Sequence, residues 1–270
     1  MRQRQALGKS YLREHACFAE PHETLIDPVA GLGQIGLAGW DIADKAIAEC
    51  QKLIAERENQ ALPSKGSLDV IADGKRDIDD VSPIARLALS PLLIVPVTKY
   101  FGMLPILFSI GLTRAKSDDL LDWSSHLFHR DPEDITQIKV FLNLVDVDGD
   151  TRPFHALPAG LSQIVAKKLD YSVGRLTDQK VHELVGPGKE FVALGPIGTA
   201  TFCDTNRCFH FGGRPGKRDR YLLVIQYVLP TCTWFPQRQG DGERRNLLPK
   251  LTTDGRSKYK NALLGATLTH

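Results

Sequence analysis

Between residues 42 and 58, Ile42, Ala43, Ala46, Ile47, Cys50, Leu53 and Ile54 recur on one face at helical spacing, while Asp44, Lys45, Glu49, Lys52 and Glu56 fall on the other. The spacing predicts an amphipathic helix opened by Asp41 as its N-cap. A polar linker runs from Asn59 to Asp80. Ser82-Pro83 and Ser90-Pro91 each set a capping hydroxyl before a proline, and Gly102 supplies a stop, so two short packed helices are expected between 83 and 101. From Met103 the pattern changes to short apolar or alternating runs separated by turn residues, at 103–113, 121–128, 138–146, 152–157, 190–194, 198–204, 207–211 and 220–229. Strands at such spacing predict a barrel or sandwich.

A helical insertion interrupts the strands over 159–185. Ile164, Val165 and Leu169 are expected to form its apolar face, Thr177 caps a second short helix, and Gly186-Pro187 ends it. The tail beyond Pro236 carries Arg238, Arg244, Arg245, Lys250, Arg256, Lys258 and Lys260, and is expected to wrap the surface or fray. The organisation expected is one domain over 1–270, with a helical portion at 1–102, a β core at 103–236 and an extension at 237–270.

Composition narrows the function classes. The 270 residues hold 34 Lys and Arg against 32 Asp and Glu, a net charge of +2 that is too balanced to make nucleic-acid or anionic-membrane binding the main activity. The apolar run from Leu87 to Leu112 is broken by Pro91, Pro96, Lys99 and Pro105, which leaves pieces short of the ~20 residues a membrane span needs. It reads as buried core. Five cysteines without a Cys-x-x-Cys pair disfavour a disulfide framework and a structural zinc site, and fit a reducing cytoplasm. No apolar segment follows the basic start Met1-Arg2-Gln3-Arg4, so no signal peptide is read there.

The chemistry concentrates at Leu127-Phe128-His129-Arg130-Asp131. On extended chain, residues i and i+2 share a face, so the His129 imidazole and the Asp131 carboxylate emerge together while Arg130 turns away. His210 follows in Cys208-Phe209-His210-Phe211-Gly212, before a Gly/Pro/basic turn and the run Arg220 to Tyr227, which reads as strand, turn, strand. Two imidazoles and one carboxylate on facing strands make a facial triad with three coordination positions open, suited to non-haem Fe(II) that binds a chelating cosubstrate and O₂ together. Zinc more often takes a closed tetrahedral set. Arg220 opens the next strand, where a guanidinium can reach back to a dicarboxylate.

At these residues the sequence resembles the phytanoyl-CoA dioxygenase-like family of Fe(II)- and 2-oxoglutarate-dependent oxygenases. The resemblance runs from about Leu120 to Tyr227. It passes through Phe128 to Asp134, Lys139-Val140-Phe141-Leu142-Asn143-Leu144, Asp146-Val147-Asp148, Pro153 to Gly160, and the block from His210 to Arg220. It implies a mainly β fold with flanking helices around a double-stranded β-helix (jelly-roll, cupin-like) core. It also implies His129, Asp131 and His210 as iron ligands and Arg220 as partner of the distal carboxylate of 2-oxoglutarate, while Lys139 and Asn143, on one face with Phe141, read as further cosubstrate contacts or as polar residues tolerated at a strand edge. The reaction implied is hydroxylation or desaturation of a small organic molecule, with release of succinate and CO₂. Related halogenases replace the ligand carboxylate with a small residue, so Asp131 argues for oxygenation. Two positions depart from the family pattern: Gly212 stands where a hydroxyl residue is common, and Ala159-Gly160-Leu161-Ser162 lacks a final polar pair.

Several residues compete with these assignments. His126 falls on the opposite strand face from His129 and reads as a core or surface histidine, and His155 reads as pocket lining or as packing. His15, His22, His182 and His270 lack ligand spacing, and Cys203 and Cys208 read as small packed hydrophobes. Trp123, Trp234 and Phe235 read as core or substrate contacts, and Arg214, Lys217 and Arg218 as a solvated turn or a phosphate grip. Two other functions stay open: a binding or regulatory module of the same fold without turnover, and a zinc-dependent cupin-like hydrolase.

Overall fold

The computed structural model describes residues 1–19, 25–65, 68–117, 126–212, 214, 216–232, 248–253 and 257–265. Its helices are α1 (Arg2–Glu14), α2 (Ala16–Ala19), α3 (Asp41–Arg57), α4 (Pro83–Ala88), α5 (Pro91–Phe101), α6 (Ala159–Lys168), α7 (Asp178–Val185) and α8 (Lys258–Leu263). The strands are β1 (Leu32–Gly36), β2 (Ser64–Lys65), β3 (Leu68–Asp73), β4 (Ile106–Ala115), β5 (Gln137–Asn143), β6 (His155–Ala156), β7 (Phe191–Val192), β8 (Thr199–Asp204), β9 (His210–Phe211) and β10 (Arg220–Val228). A seven-stranded sheet runs β1-β8-β5-β10-β4-β3-β2, and a three-stranded sheet runs β7-β6-β9, with every pairing antiparallel. The chain leaves the large sheet after β8, enters the small one at β9 and returns at β10. That crossing is the winding of a double-stranded β-helix.

The two faces of the large sheet differ because side chains alternate along each strand. Ile138, Val140 and Leu142 of β5 lie in register with Tyr227, Ile225 and Leu223 of β10, and Val140 also faces Phe202 of β8. All join one apolar cluster with Ala43, Ala46 and Cys50 of α3, Ile84 and Leu87 of α4, and Leu93 and Ile94 of α5. Burying such a side chain stabilises by about 1.5–3 kcal/mol, so this outer layer fixes the sheet against its helices. Lys139, Phe141 and Asn143 face the opposite way, into the space between the sheets.

The helix signals hold with local differences. Ser82 accepts from the Ile84 amide at 3.1 Å with Pro83 in the first turn, and Gly102 ends α5 in the left-handed region at φ 68°. Ser90 donates instead to the Leu87 carbonyl at 2.7 Å. Asp41 is not the cap of α3: Trp40 holds that position in extended conformation, and Asp41 pairs with Lys45 one turn on, at 2.8 Å. In α6, Ala159, Ser162 and Val165 are buried while Ile164 and Leu169 are exposed, so the inward stripe follows i, i+3 spacing through the small residues. Thr177 caps α7 and Gly186 closes it, as expected. The stretch Pro83–Phe101 is long and apolar enough to cross a membrane by length and composition, and 67% of it is buried inside this fold.

The first 102 residues are not purely helical. β1 pairs with β8 at one edge of the large sheet, while β3 pairs with β4 and β2 with β3 at the other, which places two strands inside the linker 59–80. Gly33 is required in β1, since a Cβ there would meet the Leu25 carbonyl oxygen at 1.9 Å. The expected run 121–128 yields only an isolated bridge at Phe128, its first five residues lying outside the described ones. The described part of the tail packs inward: Leu248, Leu251, Ala262 and Leu263 join the main core, and Ser257 caps α8.

Candidate metal centre

The site begins with one antiparallel contact between two short segments. The His129 amide donates to the His210 carbonyl at 3.0 Å, and the His210 amide donates to the His129 carbonyl at 2.9 Å. Residues that exchange both bonds lie directly opposite each other with side chains on the same face, so the two imidazoles come together with ring centroids 4.3 Å apart. His129 Nδ1 lies 2.9 Å from the Leu127 carbonyl and His210 Nδ1 lies 3.1 Å from the Cys208 carbonyl. A carbonyl only accepts, so each Nδ1 carries the proton and each Nε2 keeps its lone pair.

Asp131 is set by its own amide, which donates to the Thr205 carbonyl at 2.9 Å. Its Oδ2 stands 3.5 Å from His210 Nε2 and its Oδ1 4.0 Å from His129 Nε2. One ligand atom from each of the three residues falls within 4.8 Å of the others. The turn that offers Thr205 is held by buried Asp204, which accepts from the Tyr100 hydroxyl at 2.9 Å and the Thr136 hydroxyl at 2.5 Å. No spacing in the sequence links Tyr100 or Thr136 to Asp204, so this support is visible only in the fold.

Charge states suit a divalent metal. Burial and the neighbouring His210 pull His129 down to about 3, and burial pulls His210 below its ordinary value against the attraction of Asp131. Burial alone would raise the Asp131 carboxyl, but Lys139 and His210 hold it well below the usual carboxylate range. Two neutral imidazoles and an ionised carboxylate are the protonation states in which these groups ligate. The donor set therefore fits a divalent metal with open positions, and among the described residues no fourth His, Cys, Asp or Glu joins it.

Arg220, the first residue of β10, is buried, and its Nε has no hydrogen-bond partner among the described residues. Burial and the charge of Arg152 bring the guanidinium down to about 9. A Cβ added at Gly212 would stand 3.9 Å from Arg220 Nη2, so this glycine lies beside the guanidinium. Buried donors left unused are costly in the absence of an anion. Arg152 was not anticipated: it is almost fully buried at φ 56°, donates from Nε to the Arg214 carbonyl at 2.9 Å and sits 3.3 Å from His126 Nε2.

Lys139 and Asn143 share the inner face, but both have protein partners. Lys139 Nζ donates to Asp131 Oδ2 at 2.7 Å, and Asn143 Nδ2 donates to the Gly195 carbonyl at 3.1 Å. Burial works against the Lys139 ammonium, and the carboxylates of Asp131 and Glu133 more than offset it, leaving its pKa raised. Phe141 stacks on Phe154 with centroids 4.4 Å apart, and Phe154 lies 5.4 Å from the His210 ring, which puts an aromatic wall beside the ligands.

The competing residues fall elsewhere. His155 stacks on Phe211 at 4.5 Å, on the face of the small sheet turned away from His210, and His126 lies against Arg152 outside the ligand cluster. Arg214 forks onto Asp178 at 2.7 and 2.5 Å above the Phe211 ring, Lys217 pairs with Asp150, and Arg218 pairs with Asp148, so that turn is internally neutralised. Cys203 and Cys208 are buried in a cluster with Leu32, Phe154 and Ala156. His15 packs against Tyr11, and His182 bonds Glu190 at 2.7 Å. Trp123, Trp234, Phe235, His22 and His270 lie outside the described residues.

Compared by sequence, the chain matches no family model and no curated protein. By structure it is similar to the epimerase SnoN in complex with Fe3+, alpha ketoglutarate and nogalamycin RO, at 18% identity and a TM-score of 0.51 over 78% of this chain and 85% of that one. It is similar to SnoK, a non-heme alpha ketoglutarate dependent carbocyclase from nogalamycin biosynthesis, at 14% identity and a TM-score of 0.55 over 76% and 82%. It is also similar to EctD from S. alaskensis with 2-oxoglutarate and 5-hydroxyectoine, at 13% identity and a TM-score of 0.52 over 76% and 74%. At these identities the likeness is one of fold, and it agrees with the jelly-roll core expected from the sequence.

Proposed function

We propose that this protein is an Fe(II)- and 2-oxoglutarate-dependent oxygenase that hydroxylates or desaturates a small organic molecule. The observation that carries the reading is the convergence of the His129 and His210 Nε2 atoms with the Asp131 carboxylate. The fold neighbours support it, since SnoN is described with Fe3+ and alpha ketoglutarate and EctD with 2-oxoglutarate. His129, Asp131 and His210 would hold the iron. Arg220 would pair its unused guanidinium donors with the distal carboxylate of 2-oxoglutarate. When bound, iron and cosubstrate supply the oxidising power, by which O₂ converts 2-oxoglutarate to succinate and CO₂ and oxidises a C–H bond of the substrate.

The chain's own work is positional. The Leu127 and Cys208 carbonyls fix both imidazole tautomers, the Phe141–Phe154 pair keeps water from one side of the ligands, and Asp131 stays ionised. Arg220 anchors the cosubstrate at one end so that its keto-acid end faces the ligands. Asn143 is engaged by Gly195, and we assign it to shaping the cosubstrate side of the cavity. We assign the protein to the cytoplasm, where its five thiols, four of them buried, would stay reduced. A module without turnover and a zinc hydrolase gain no support from this site. The test is succinate formation from 2-oxoglutarate under air by Fe(II)-loaded protein. The wild type is expected to release succinate and His129→Ala to release none; equal release from both would overturn the reading.

A further inference from the structure

Lys139 is a cation on the inner wall, and its place is set by register. On β5 it lies opposite Gln226 of β10 and Cys203 of β8, and neither neighbour brings a charge of its own at neutral pH. Glu133, the other nearby acid, accepts from Gln137 Nε2 at 3.1 Å. Among the described residues the one hydrogen-bond acceptor of the ammonium is Asp131 Oδ2, at 2.7 Å, with both side chains nearly enclosed. The same carboxylate faces the unprotonated Nε2 atoms of both imidazoles, with Oδ2 nearer His210 and Oδ1 nearer His129. A carboxylate beside a divalent ion can give it one oxygen or two. Two would use a position that a chelating cosubstrate and O₂ both need.

Resting on the oxygenase reading above, we infer that Lys139 is a positioning residue which keeps Asp131 a one-oxygen ligand and adds the positive charge that draws a dianionic cosubstrate to the metal. The charges add simply. Loss of the ammonium lowers the charge around the metal by one, whatever the ion, Asp131 and Arg220 contribute, so a dianionic cosubstrate meets a less positive site. The same ammonium works against the metal itself, because it occupies one Asp131 oxygen and repels an incoming dication. Lys139 therefore has opposite effects on the two ligands, weakening metal and strengthening cosubstrate. A lysine that only braced the strand would have no such opposed effect: its loss would loosen Asp131 and weaken both together.

The experiment uses the full-length protein and Co(II) as an air-stable probe, with metal affinity, the visible Co(II) spectrum and cosubstrate binding read by calorimetry for wild type, Lys139→Met and Lys139→Arg. Lys139→Met is expected to bind Co(II) about tenfold tighter and 2-oxoglutarate about tenfold weaker, the size of change typical for groups that support metal ligands. Its Co(II) spectrum is expected to differ from the wild type's before cosubstrate is added, and Lys139→Arg to restore cosubstrate binding. Pyruvate, which keeps the chelating keto acid and lacks the distal carboxylate, separates the two cations. Lys139→Met is expected to weaken pyruvate as well, whereas Arg220→Gln weakens 2-oxoglutarate alone. Loss of both metal and cosubstrate affinity, or no change in either, in folded Lys139→Met would overturn the assignment. If Lys139→Met does not fold, Lys139→Gln carries the same expectations. A wild type that binds Co(II) but shows no metal-dependent 2-oxoglutarate binding would instead overturn the oxygenase reading on which the inference rests.

Discussion

Strand β5 presents two chemistries on its two faces. Outward, Ile138, Val140 and Leu142 enter the apolar cluster shared with α3, α4 and α5. Inward, Lys139, Phe141 and Asn143 meet a carboxylate, an aromatic ring and a backbone carbonyl. A slip of one residue would exchange the faces entirely, so a single register fixes both the stability of the sheet and the composition of the site. The contrast teaches that the costs fall on one side. The outer layer gains from every group it buries, while the inner layer holds Arg220, Lys139 and Asp131 out of water and depends on pairing, or on a ligand, to offset that burial.

Substitutions on the two faces should separate these contributions. The largest effect on stability is expected outside: Leu142→Ala removes a fully buried side chain and should cost about 2–5 kcal/mol in denaturant unfolding, with Co(II) affinity of the folded protein unchanged. A loss of metal affinity matching the loss of stability would show that the faces are not independent. Inside, Arg220→Met is expected to keep or raise the melting temperature of the ligand-free protein, because an enclosed cation with unused donors disappears, and to weaken 2-oxoglutarate at least tenfold, as the loss of a charge-assisted pair requires. Lower stability with cosubstrate binding intact would assign Arg220 to the scaffold instead.

The smallest effect is a pH dependence. His129 and His210 both have lowered pKa values in the fold, His129 from 6.5 to about 3. At His129 the unfolded chain therefore binds more protons between those values, and the stability that depends on its neutral form, present above pH 6.5, is lost as the pH falls toward 3; His210 acts in the same direction. Metal-free wild type is expected to lose more melting temperature between pH 7 and 5 than His129→Asn does. Identical losses would mean that His129 is not held neutral by the fold.

What the sequence made legible follows from the range over which each feature is decided. His129, Asp131 and His210 could be read because a two-residue period puts the first two on one face and a short strand signal surrounds the third. Ser82-Pro83 and Gly102 could be read because caps are local. β1 could not: Leu32-Gly33-Gln34-Ile35-Gly36 carries two glycines and little alternation, and it becomes a strand only because β8 offers it an edge. β3 was hidden by a register shift between Val70 and Ala72, and α1 by its polar sequence RQRQALGKSYLRE. The face of α6 differs from its apolar pattern because Ser162 rather than Ile164 turns inward, where its hydroxyl donates to the Leu157 carbonyl. The partners of Lys139 and Arg152 are tertiary facts, since no spacing says which acid a lysine will meet.

Three side chains brought together by strand pairing are proposed as one iron site that also accepts 2-oxoglutarate. Anaerobic titration of the purified protein with Fe(II) and then 2-oxoglutarate, followed by visible absorption, reads that site out. A weak charge-transfer band that saturates at one equivalent of each and is missing from His129→Ala is expected. A featureless spectrum in folded wild type, or a band that survives the loss of His129, would contradict that proposal.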